Sequence, residues 1–177
     1  RLNRKRVLSQ STTAAATLSA VIVGAVPVPI PDATILGPVE IAAITAISKI
    51  YGIDKEHGAE RFKETIAEVG TVSLAAKGVL SLTKAIPGLN LATSVANAVV
   101  AGSIVAALCG ATIYACEQVY LGNKSADDAD WLKRLVESTL SGDFVAKVTD
   151  ALKQTASDGL DAKRIADLIF GLFSTGK

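Results

Sequence analysis

The sequence predicts an all-α chain, a helical bundle built on two apolar hairpins with amphipathic helices appended. Three observations carry this. Half of the 177 residues are hydrophobic but only 5% are aromatic, so the apolar content is mostly Ala, Val, Leu and Ile. Small side chains in such numbers suit helices whose backbones pack close together. The run from residue 85 to residue 116 carries no charge and is long enough for one extended helix. No stretch shows the two-residue alternation of a half-buried strand.

The length fits one domain, or a small domain with an appendage, that can bury a core. Net charge is +1, so no global field favours nucleic acid or an acidic partner. The basic residues cluster locally at Arg1, Arg4, Lys5 and Arg6. Residues 1–11 therefore read as a basic tail or linker, or as a tether to acidic headgroups. The chain starts at Arg1 and contains no methionine, as expected of a piece of a longer protein or a processed product. The basic start and apolar run at 14–26 imitate a signal peptide, but prolines follow where a cleavage site would stand.

Residues 12–26 read as an uncharged helix in which Ala16, Ala20 and Gly24 form a flat stripe. An elbow follows, VPVPIPDATILGPVE at 26–40, holding four of the five prolines. Pro27, Pro29 and Pro31 forbid continued helix and impose extended geometry on the residues between them. Asp32 is placed to cap the next helix, a structural role. Pro38 either kinks that helix or opens a new one, with Glu40 in the first turn, where the helix dipole favours an acid. Ile44, Ile47, Ile50 and Tyr51 keep helical spacing up to a stop at Gly52.

Residues 55–69 form a charged helix with Phe62, Ile66 and Val69 on its apolar side, interrupted or ended at Gly70. His57 at its start has no Cys or His at ligand spacing and is a poor metal candidate. After the break at Ile86-Pro87-Gly88, residues 90–120 read as one helix of about 45 Å. Ser94, Ala98, Gly102, Ala106 and Gly110 repeat every fourth residue, a stripe on which another helix can approach closely. The segment meets the length and polarity of a membrane span. It equally suits the buried central helix of a soluble bundle, softened by Asn97, Ser103 and Thr112. Cys109 and Cys116 on one helix stand about 10 Å apart along its axis, too far to pair with each other. Both read as buried free thiols.

Beyond Gly122 the composition becomes ordinary. Residues 123–177 predict three amphipathic helices packed over an apolar hairpin domain spanning 12–122, its hairpins at 12–52 and 57–121. Ser125 with Asp128 is similar to a capping box.

Catalytic constellations are missing. A single histidine leaves no general-base dyad, and there is no G-x-S-x-G or Cys-x-x-Cys motif. Asn123-Lys124-Ser125-Ala126-Asp127 is similar to a guanine-reading Asn-Lys-x-Asp element, but its Asp comes one residue late. Residues 171–177, GLFSTGK, match most of a phosphate loop, but no Ser or Thr follows and the preceding residues read as helix. Both are chance matches. The chain is expected to be no enzyme and to hold no cofactor.

Two stretches, AVPVPIPDATILGPVEIAAITAISKIYGID and AIPGLNLATSVANAVVAGSIVAALCGATIYACEQVY, resemble the two halves of the YcjF-like helical domain family. The resemblance covers roughly residues 14–121 and rests on the Pro-and-Asp elbow, the closing Tyr-Gly-Ile, the Pro-Gly break and the late Gly-Ala-Thr. It implies a helical domain C-terminal to an Era-like or TrmE-like GTPase domain that lies upstream and outside this sequence. The expected function is a non-enzymatic membrane-association or effector module that couples nucleotide state to contact with a bilayer or partner. The alternative is a soluble adaptor or scaffold bundle that binds another protein. The expected setting is intracellular, membrane-associated or cytoplasmic, without nucleic acid.

Overall fold

The computed structural model describes residues 1–26, 33–76 and 92–174. Among these residues the chain is helical, with no strand, and packs as a bundle. The helices are α1 (Leu2–Gly24), α2 (Ala33–Tyr51), α3 (Ala59–Ala76), α4 (Thr93–Tyr120), α5 (Ala129–Thr139), α6 (Gly142–Asp158) and α7 (Ala162–Ser174). A short 3-10 turn, Ile53–Lys55, joins α2 to α3.

α4 is the axis of the bundle. It buries a nearly continuous run from Ala96 to Cys109 and then Ala111, Thr112, Ala115 and Cys116. Such all-round burial is possible because its side chains are small and uncharged, so several helices reach its backbone. Ser103 and Thr112 donate their hydroxyls to the carbonyls of Val99 and Leu108, one turn back, at 2.7 Å each. Their polarity is thereby satisfied without solvent.

α1 is the principal neighbour of α4, and α2 and α7 flank the pair. The seam of α1 is Ser9, Thr13, Thr17, Ala20, Val21 and Gly24, all buried. A Cβ on Gly24 would lie 2.7 Å from the Ala101 Cβ and 2.9 Å from the Asn97 carbonyl oxygen. Only a glycine permits that approach. α3 lies mainly against α5 and α2, with slight contact to α4 among the described residues.

Several boundaries differ from those read in the sequence. Residues 2–11 are not a tail but the first turns of α1, held there by contacts of Lys5 and Arg6 with α2 and α4. Pro38 does not begin a helix; it stands inside α2, on its exposed side. Glu40 consequently sits two turns into α2, beyond the opening turn. Gly70 does not end α3, which runs on to Ala76. That glycine answers a packing need, since a Cβ there would meet the Leu108 Cδ2 at 2.6 Å. The cap of α5 is Asp128, whose Oδ1 accepts the Trp131 N–H at 3.0 Å; Ser125 only turns the preceding loop. Gly52 does stop α2, with φ of +83°, a conformation that glycine adopts without strain. Pro27, Pro29, Pro31 and Asp32, the rest of the expected elbow, lie outside the described residues.

Candidate functional site

The N-terminal basic cluster divides into two pairs. Arg6 grips Glu117 of α4 at two points, Nε to Oε1 at 2.6 Å and Nη2 to Oε2 at 2.9 Å. Tyr51, buried at the end of α2, donates its hydroxyl to the same Glu117 Oε1 at 3.0 Å. Lys5 donates to the carbonyl oxygen of Ile50 and lies 5.6 Å and 5.0 Å from the ring centres of Tyr51 and Tyr120. Those rings meet edge to face at 6.2 Å. Lys5 and Arg6 thus clamp three helices together. The Arg6 hydrogen bonds hold the Glu117 carboxyl below its usual range, with the Tyr51 hydroxyl adding to the effect against the opposing pull of burial. Arg1 and Arg4 are exposed and make no such clamp among the described residues.

The outward side of α1 is the second feature. Arg4, Leu8, Ser11, Ala15, Ser19 and Ile22 follow one another at three- and four-residue steps, and all are exposed, as is Val26 beyond the helix end. No residue from Val7 to Val26 is charged. The serines on this face return their hydroxyls to their own helix, Ser11 to the Val7 oxygen at 3.1 Å and Ser19 to the Ala15 oxygen at 3.0 Å. Thr12 does the same to Leu8 at 3.0 Å. Polar atoms satisfied in this way let a helix face meet a medium with few hydrogen-bonding groups.

The small-residue stripe of α4 splits in use. Ala98 and Gly102 meet α1, and a Cβ on Gly102 would come within 2.6 Å of the Val21 Cγ2 and 2.9 Å of the Ile169 Cδ1 of α7. Ala106 and Gly110 instead face a cavity of about 220 Å³ bounded by Arg6, Tyr114, Glu117 and Phe173. Ser94 is half-buried near the start of α4, away from that cavity. The stripe is therefore a helix seam over its first half and an open groove over its second.

Cys109 and Cys116 are buried free thiols, each pushed up to about 12 by burial. His57 is exposed and lies 3.8 Å from Asp127. Among the described residues no group of three His, Cys, Asp or Glu side chains is arranged to hold a metal ion. Residues 171–174 of the phosphate-loop-like motif are the last turn of α7, so no strand leads into it; residues 175–177 lie outside the described part.

Sequence reasoning missed the structural setting of two acids. Glu117 is assigned a role by Arg6, 111 residues away, which no local pattern reveals. Glu40 is buried, and its carboxyl is pushed up to about 7 by that burial. A signal for it did exist: Glu40, Ile44, Ile47 and Tyr51 share one helical face, and the other three are core residues.

Two of the described helices, α1 and α4, are long and apolar enough to cross a membrane. They differ in burial: 83% of the apolar window of α4 is inside the protein, against 39% of that of α1. No protein family, curated protein or solved structure matches this chain.

Proposed function

We propose that this chain is a non-enzymatic helical module that associates peripherally with a lipid bilayer through the outward face of α1. One observation carries the reading: a helix apolar enough to span keeps one face uncovered, and that face is uncharged from Leu8 to Val26. Arg1 and Arg4 at the start of that face supply cations for anionic headgroups. Lys5 and Arg6, the other two residues of the basic cluster, hold the bundle together instead. The resemblance of residues 14–121 to the YcjF-like domains extends the proposal: the module would serve an upstream GTPase domain and relay its nucleotide state.

A second reading has its own support. The burial of α4 on all sides suits a permanently closed adaptor bundle that binds another protein, with α1 as the docking face. Flotation with vesicles separates the two, because only membrane association moves the purified chain with lipid.

A further inference from the structure

We propose that the cleft between α2 and α3 is a binding site for a small organic cation, an ammonium or guanidinium head carried on an apolar body. The cleft has a volume of about 580 Å³, within the range of small-molecule sites. Its α2 side offers Gly37, Glu40, Ile41, Ile44 and Thr45; its α3 side offers Glu60, Lys63, Glu64, Ala67 and Glu68.

Glu40 is the deciding group. It is 6% exposed, it lines the cleft, and among the described residues its carboxyl has neither hydrogen bond nor ion pair. A carboxylate taken out of water without a partner is costly, and a cation delivered into the cleft removes that cost. Among the described residues the cation that lines the cleft is Lys63, engaged with Glu60 at 2.5 Å.

The surroundings define the head and the body of the ligand. Glu60, Glu64 and Glu68 recur at four-residue steps on α3, so they share one face and extend along about 12 Å of the cleft. Among the described lining residues, four carboxylates against one lysine repel anions and attract cations. Ile41 is 58% exposed, and with Ile44 and Ala67 it offers apolar contact that a hydrated metal ion would not use. A neutral apolar molecule would leave Glu40 unpaired. The remaining class is a cation with an apolar body, its head against Glu40. This site does not depend on the membrane reading.

The test is an NMR titration of the full chain with hexylammonium, using hexanol and hexanoate as matched neutral and anionic controls. The expected result is saturable shifts of amides in residues 37–45 and 60–68 with hexylammonium and with neither control. Glu40→Gln should weaken that binding about ten-fold or more. This variant removes a buried charge, so it is expected to fold, and the wild-type map stands without it. Absent saturation, shifts centred elsewhere, equal binding of hexanol, or unchanged binding by folded Glu40→Gln would each overturn the proposal.

Discussion

Arg6 and Glu117, 111 residues apart, form a two-point ion pair that fixes the start of α1 to the end of α4, with the Tyr51 hydroxyl on the same carboxylate. The pair converts what reads as a loose basic tail into part of the bundle. Because the folded state holds the Glu117 carboxyl below its unfolded value, its stabilisation is present above the unfolded value. It is lost as pH falls through the folded one. Glu117→Gln should therefore lower the melting temperature at pH 7, and the difference from wild type should shrink in acid. An equal difference at pH 7 and pH 3 would show that the charge plays no part.

Glu40 acts with the opposite sign. Burial raises its carboxyl from 4.5 to about 7, so between those values the folded chain binds more protons than the unfolded one. Stability then falls as pH rises through that window and levels off above it. Among the described residues the titratable groups around it are Glu60, Lys63, Glu64 and Glu68 across the cleft and the un-ionised Cys109 thiol of α4. Glu40→Gln should be more stable than wild type at pH 8, by up to about 3 kcal/mol. Urea melts at pH 5 and pH 8 read both the slope and its loss in the variant.

The glycines of α1 and α4 make opposite forecasts for the same substitution. Gly24→Ala places a methyl against Ala101 and the Asn97 carbonyl, which is backbone and yields little. Overpacking of this kind costs about 1–3 kcal/mol, more than the helix propensity gained. At Gly110 a methyl would meet nothing within 4 Å. Gly110→Ala should stabilise the chain by about 0.4–1 kcal/mol. Denaturant midpoints that move the same way for both would refute the seam.

Cys109 and Cys116 report whether the bundle opens. Both are buried and their thiols are pushed up to about 12, so little thiolate exists at pH 8 and burial shields it from reagent. Alkylation should be slow in buffer and fast in denaturant. Peripheral contact through α1 leaves it slow with vesicles as well. Rapid labelling on adding lipid would mean that α4 leaves the core, and membrane contact would then involve insertion.

The parts of the fold legible in the sequence were those set by local chemistry. Gly52 ends α2 because a residue with positive φ is needed there, and the uncharged run around Gly102 forms a helix because no proline interrupts it and its small side chains can be buried on all sides, which outweighs its glycines. The parts that escaped were set by distant neighbours. Gly70 reads as a break, yet it is there for Leu108 of another helix. Arg6 reads as a free cation because its partner lies on α4. By length and hydropathy both α1 and α4 could span a membrane; only packing shows which one is enclosed. Of the expected site residues, Arg1 and Arg4 are exposed while Lys5 and Arg6 are held in the bundle, and the α4 stripe is half seam and half groove.

The most direct measurement is flotation of the purified chain with anionic and neutral vesicles, followed by an alkaline carbonate wash, beside the variant Ile22→Glu/Val26→Glu. Both positions are exposed, so the variant should retain wild-type stability to within about 0.5 kcal/mol per site. Association through α1 requires that wild type float with anionic vesicles, that carbonate release it, and that the variant stay at the bottom. Wild type remaining at the bottom as a cooperatively folding protein would contradict membrane association and turn the α1 face into a site for a protein partner.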